Sequence, residues 1–122
     1  MSRLVSIKRI TKELVELNDF TGSNNEDKFI ATANDNNITM WKVMMHCPKG
    51  TKYHGKPLET HIQFPDDYPF KPPQVKFINK PSHPNIRSDG SVCVDILQDK
   101  WSPALSATKI YVSVMSLLID EK

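Results

Sequence analysis

Cys93 lies in the run Val92-Cys93-Val94-Asp95-Ile96-Leu97, three residues after Gly90. Eight residues before it is Asn85, inside His83-Pro84-Asn85, and eight residues after it Trp101 opens Trp101-Ser102-Pro103-Ala104-Leu105. A thiol with a carboxamide (Asn85) and a carboxylate (Asp95) at short spacing points to acyl transfer on cysteine. No His, Lys or Arg adjoins Cys93 in the chain. That argues against the Cys–His pair of a hydrolase and suits a thiol that exchanges with an already activated thioester. Both residues also have plainer readings. A free cysteine is commonly a small core residue, and Pro-Asn is a good turn dipeptide. As a donor to a developing oxyanion, a carboxamide such as Asn85 supplies about 2.7–4 kcal/mol of transition-state stabilisation.

These residues need a domain to hold them. At 122 residues the expectation is one domain, 1–122. Hydrophobic content of 39% with 25% charged residues fits a soluble globular fold with one core. The net charge of +2 is too small to argue for nucleic acid. No apolar run approaches the roughly 20 residues that span a bilayer, so no membrane partner is expected. Lys8, Arg9, Lys12 and Glu13 interrupt any apolar leader at the start. The two cysteines, Cys47 and Cys93, are far apart and lack metal-ligand spacing. Free thiols in a reducing compartment, cytoplasmic and/or nuclear, are the expectation, with no metal.

Along the chain, Leu4, Ile7, Ile10, Leu14 and Leu17 recur at spacings of three and four, which predicts an amphipathic helix over 2–19 with Ser2 as N-cap. Lys8, Arg9 and Lys12 project to the opposite face, either as a solvated surface or as a dock for an acidic partner. A polar loop over 18–27 leads to an edge strand at 29–33, an Asn34-Asp35-Asn36-Asn37 turn and a second strand at 38–47. Leu58, Thr60, Ile62 and Phe64 alternate with Glu59, His61 and Gln63, a strand with one wet face. Four prolines between Pro65 and Pro73 make a stiff corner, on which Phe70 is either core or a solvent-facing anchor. A short strand at 74–78 follows. Residues 79–105 then form a long irregular segment of the kind that usually carries function. Ser106 or Thr108 caps a second helix whose buried stripe is Ile110, Val114, Leu117 and Leu118.

Taken jointly, Phe64-Pro65 through Tyr68-Pro69-Phe70-Lys71-Pro72-Pro73, His83-Pro84-Asn85, Gly90-Ser91-Val92-Cys93-Val94-Asp95 and Trp101-Ser102-Pro103-Ala104-Leu105 stand in an order and spacing that resembles the core of a ubiquitin-conjugating enzyme. The likeness runs from about residue 4 to the end. It implies an α+β fold: an N-terminal helix, a four-stranded antiparallel meander sheet, a long active-site loop and a crossover helix. The family's last two helices are absent from this sequence, which ends at Lys122. Only Asp120 or Glu121 could then fill the family's acidic gate near the cysteine. Cys47-Pro48 and Gly55-Lys56 stand where the family usually has a Gly-Pro pair and a double glycine.

The resemblance also implies roles. Cys93 takes ubiquitin, or a ubiquitin-like protein, as a thioester from the ubiquitin-activating enzyme. Asn85 stabilises the oxyanion or holds the loop, and Asp95 orients or deprotonates the acceptor amine. His83, with Pro84, braces the turn. Lys8, Arg9 and Lys12 meet the activating enzyme and in part a ligase. Phe70, Ser102, Pro103 and Ala104 form the patch gripped by a ubiquitin ligase of RING type or similar, which tilts Phe70 towards exposure. Val112 meets donor ubiquitin. A protein substrate supplies the lysine. No cofactor is implied, because ATP is consumed by the activating enzyme. The alternative is a catalytically impaired or non-catalytic variant of the same fold, acting as a ubiquitin-binding or scaffold subunit. A third is a structural domain with a buried, inert thiol.

Overall fold

The computed structural model describes residues 3–20, 28–53, 55–79 and 81–119, with backbone only for 3–5. Ser2, the polar residues 21–27, His54, Asp120 and Glu121, and the side chain of Leu4, lie outside the described residues.

Helix α1 spans Arg3–Asp19 and helix α2 spans Ala107–Ile119. Between them run β1 (Lys28–Asn34), β2 (Asn37–His46), β3 (Leu58–Gln63) and β4 (Gln74–Phe77), in the order β1-β2-β3-β4 with every neighbour antiparallel. The Asn-rich turn makes the first hairpin: Asn34 and Asn37 pair, and the Asn34 side chain accepts the Asn36 N–H at 2.9 Å. Register follows the alternation, since a slip of one residue would turn every core side chain to water. Trp41 faces Ile62 and Ile62 faces Val75, and all three are buried with Phe29, Val43, Met45, Thr60 and Phe77.

Helix α2 lays Ala107, Ile110, Tyr111, Val114, Met115 and Leu118 into the core. The N-cap is Ser106, whose Oγ accepts the Lys109 N–H at 3.4 Å. Full burial of a side chain such as Ile110 contributes about 1.5–3 kcal/mol. Tyr111 enters this apolar layer because its hydroxyl finds Thr60 Oγ1 at 2.8 Å, and Thr60 in turn donates to the Val43 carbonyl at 3.0 Å. Burial pushes the Tyr111 phenol pKa up.

The buried line of α1 differs from the apolar stripe. It runs Ser6, Ile10, Glu13, Leu17, while Ile7 and Leu14 are half-buried. The polar members are buried because partners meet them. Ser6 Oγ donates to the Tyr68 carbonyl at 2.7 Å. Glu13 accepts from the Tyr68 hydroxyl at 2.7 and 2.9 Å, from Arg9 Nε at 2.7 Å and from the backbone N–H of Ala107 at 2.7 Å. One carboxylate thus joins α1, the proline corner and the start of α2, where the helix dipole also favours negative charge. Burial, then the Glu13 charge, raises the Tyr68 pKa. At the far end of α1, the Asn18 carboxamide pairs with both backbone groups of Ala31 at 2.9 Å, which fixes the helix to the edge strand.

Candidate active site

The segment after β4 is more ordered than its lack of periodicity implies. Ile86 bridges Val92, and Ser91 bridges Lys76 of β4. A tight turn at Asp89-Gly90 folds the two arms together. Arg87 N–H donates to the Ser91 carbonyl at 2.9 Å, and Cys93 N–H to the Asn85 carbonyl at 2.7 Å. Gly90 has φ +90°, and a Cβ there would lie 2.3 Å from the Phe77 carbonyl oxygen. Only glycine lets the turn sit this close to β4, where Phe77 N–H reaches the Gly90 carbonyl at 2.8 Å. Ile86 and Val92 are buried beneath the turn.

This hairpin carries Cys93 to the surface. Its side chain is half-exposed, whereas Cys47 is buried. Asn85 is half-buried and its Nδ2 donates to the Cys93 carbonyl at 3.2 Å, so the carboxamide spans the loop to the cysteine backbone. His83 is buried, with Nδ1 accepting the Asn85 N–H at 3.0 Å and Nε2 within 2.9 Å of the Leu117 carbonyl. The first bond puts the ring hydrogen on Nε2, which donates to α2. Both nitrogens are thereby occupied in linking the turn to the helix. Pro84 is exposed at the turn, and Asp95 is exposed where a 3-10 turn, Asp95–Leu97, begins.

Two groups reach the sulfur that adjacency in the chain does not reveal. Arg87 Nη2 lies 3.7 Å from Cys93 Sγ, and Gln98 Nε2 lies 3.8 Å from it. The guanidinium also donates to Ser91 Oγ at 3.3 Å. Ser91 in turn donates its hydroxyl (2.7 Å) and its backbone N–H (3.0 Å) to Asp89. The backbone bond and then the hydroxyl hold the Asp89 pKa below its ordinary 3.8. The Asp89-Gly90 dipeptide was the available signal. A turn there sets 87 against 91 and 85 against 93. Arg87, Gln98, Lys76 and Leu97 line a cleft of about 370 Å³ beside this hairpin.

The remaining candidate residues lie elsewhere on the surface. Phe70 is 63% exposed on the proline corner. Beside it, Trp101 Nε1 donates to the Pro69 carbonyl at 2.9 Å, which anchors Ser102, Pro103 and Ala104. Pro103 and Ala104 are exposed, Ser102 is half-buried, and Ser102 Oγ accepts the Ala104 N–H at 3.2 Å. Lys8 and Lys12 are exposed on α1. Arg9 departs from the face expected for it. It is half-buried, and besides Glu13 it donates to the Pro103 carbonyl at 2.6 Å and the Leu105 carbonyl at 2.7 Å. Its position beside Glu13, one turn on, draws it inward. Val112 is 36% exposed on α2.

A family model described as ubiquitin-conjugating enzyme matches residues 9–122. A relative in Arabidopsis thaliana named probable ubiquitin-conjugating enzyme E2 31 is 45% identical over 93 residues, 76% of this chain. The match spans 60% of that relative's length. The solved structure of human ubiquitin-conjugating enzyme E2 G1 superposes with a TM-score of 0.84 at 33% identity, over 99% of each chain. A ubiquitin-conjugating enzyme E2 of Plasmodium falciparum does so with 0.83 at 33% identity, over 94% of this chain and 84% of that one.

Proposed function

The chain belongs to the ubiquitin-conjugating enzyme family, and within it we propose that Cys93 carries ubiquitin or a ubiquitin-like protein as a thioester. The observation that carries this is the contrast between the two thiols: Cys93 is half-exposed on a braced turn, and Cys47 is buried. In loading, the Cys93 sulfur attacks the carbonyl of the modifier's terminal thioester on the activating enzyme. A new C–S bond forms, the old one breaks, the activating enzyme's thiolate leaves, and the Cys93 thiol proton passes through solvent to that thiolate. In discharge, a lysine amine of a protein substrate attacks the same carbonyl carbon. The C–N bond forms, the electron pair of the C–S bond returns to Sγ, and the amine's proton passes to solvent. A ligase cysteine could take the acyl group by the same exchange.

Asn85 serves this chemistry by holding the Cys93 carbonyl and so the shape of the loop. To donate to an oxyanion as well, its Nδ2 must turn from that carbonyl. Asp95 is the exposed carboxylate that orients the incoming amine. Lys8 and Lys12 give α1 a cationic face for the activating enzyme, and Arg9 supports that face from within. Phe70, Pro103 and Ala104, with half-buried Ser102, offer an apolar surface suited to a ligase, and Val112 gives donor ubiquitin a foothold on α2. Nucleotide chemistry belongs to the activating enzyme, and we assign no cofactor to this chain. We assign the work to the cytoplasm and/or nucleus, in keeping with two free thiols. Incubation with activating enzyme, ATP and ubiquitin, followed by a non-reducing gel, tests the proposal. Ubiquitin binding without a thiol-sensitive adduct would favour the scaffold subunit instead.

A further inference from the structure

We propose that Arg87 is a catalytic residue of this chain, whose guanidinium stabilises the negative charge that gathers on Cys93 Sγ as the acyl–sulfur bond breaks. The proposal rests on the thioester reading above. Arg87 Nη2 stands 3.7 Å from Sγ, within reach of a charge-assisted contact to sulfur. The side chain is set in place from several sides. Its backbone is pinned in the hairpin by the Arg87 N–H to Ser91 carbonyl bond (2.9 Å) and the Gly90 N–H to Arg87 carbonyl bond (2.9 Å). Its other terminal nitrogen is held at Ser91 Oγ, which is fixed by Asp89. Gln98 Nε2 approaches Sγ from the 3-10 turn at 3.8 Å as a second donor, without charge.

The chemistry needs such a group at discharge. When the amine has added to the acyl carbon, the tetrahedral adduct collapses, the C–Sγ bond breaks and its electron pair stays on sulfur. A neighbouring cation lowers the energy of that departure, and the effect is differential because the thioester sulfur carries no such charge beforehand.

The test uses the full chain with Arg87→Ala and Arg87→Lys, and two readouts. The first is alkylation of unloaded Cys93 by anionic iodoacetate against neutral iodoacetamide, with Cys93→Ala as background. A cation beside the sulfur favours the anionic reagent, and a merely structural residue does not. The iodoacetate-to-iodoacetamide rate ratio should fall roughly fivefold in Arg87→Ala, the size of one unit-charge interaction in water at about 4 Å, which is the reach of a reagent carboxylate to a guanidinium standing beside Sγ. Arg87→Lys should keep most of it. The second is single-turnover discharge onto free lysine from thioester formed before the chase, expected to slow by a similar factor in Arg87→Ala and to recover in Arg87→Lys. An unchanged ratio, or a fallen ratio with unchanged discharge, overturns the role of Arg87 while leaving the thioester reading intact. Failure of the wild-type chain to load ubiquitin sinks that reading, and the catalytic role of Arg87 falls with it.

Discussion

Replacing Glu13 with alanine probes the joint on which the docking surfaces depend. Glu13 is 3% exposed and serves three donors. Removing it takes the acceptor from the buried Tyr68 hydroxyl and leaves only the Arg9 guanidinium, itself a donor, beside it; a buried donor left without an acceptor costs about 1–3 kcal/mol. It also removes the acceptor for the Ala107 N–H at the first turn of α2, a loss of about 1 kcal/mol by analogy with N-caps. The Arg9 pair is discounted: the Arg9 side chain is 32% exposed, it retains the Pro103 and Leu105 carbonyls, and such pairs are worth at most about 1 kcal/mol. The expected loss is therefore about 3 kcal/mol, a large share of the roughly 5–15 kcal/mol that holds a small domain together. Urea unfolding of the wild type, Glu13→Ala, Tyr68→Phe and the double variant measures it. Tyr68→Phe removes the orphaned hydroxyl, so the double variant should be less destabilised than the sum of the singles by about 1 kcal/mol or more. A loss below about 1 kcal/mol in Glu13→Ala, or strict additivity, would refute the idea that this carboxylate ties α1, the proline corner and α2 together.

Other expectations can be checked independently. Phe70→Ala should change stability by less than about 0.5 kcal/mol, because the ring is mostly in water, yet weaken ligase-stimulated discharge; a large stability loss by thermal melting would make the ring structural. Asn85→Ala should still load ubiquitin but discharge onto free lysine at least about tenfold more slowly, and equal single-turnover rates would remove Asn85 from the mechanism. Tyr68 and Tyr111 have phenols raised above the ordinary 10. A raised pKa on an acid stabilises the fold below the unfolded value, and that contribution is lost as pH climbs past 10 towards the folded value. Absorbance titration should therefore show both phenols ionising only with alkaline unfolding. Early, reversible ionisation of all three tyrosines in the folded protein would contradict their burial.

Much of the fold could be read from periodicity because the physics there is local. The Leu58, Thr60, Ile62 alternation and the Asn-rich turn specify their own faces and hairpin, and the sheet order follows. What escaped depends on partners far away in the chain. Glu13 and Ser6 occupy the buried line of α1 because groups far along the chain meet them: Tyr68, fifty-five residues beyond Glu13, and for Glu13 also the Ala107 N–H. Arg9 looks like a member of a wet cationic face until the Pro103 and Leu105 carbonyls are placed beside it. The site divided in the same way. Cys93, Asn85 and His83 announce themselves by type and spacing, but Arg87 stands next to the sulfur only after the Asp89-Gly90 turn has folded six residues back. Residues 81–105 show no period because their order comes from one isolated bridge to β4, one between Ile86 and Val92, and bonds around a glycine, not from a repeating element.

The central claim is that the half-exposed Cys93 sulfur is the acyl carrier. The most direct test is the non-reducing gel after incubation with activating enzyme, ATP and ubiquitin, run on the wild type, Cys93→Ala and Cys47→Ala. The account predicts an adduct one ubiquitin larger in the wild type and in Cys47→Ala, removed by reductant and missing in Cys93→Ala. No adduct in the wild type, or one that persists in Cys93→Ala, would contradict it.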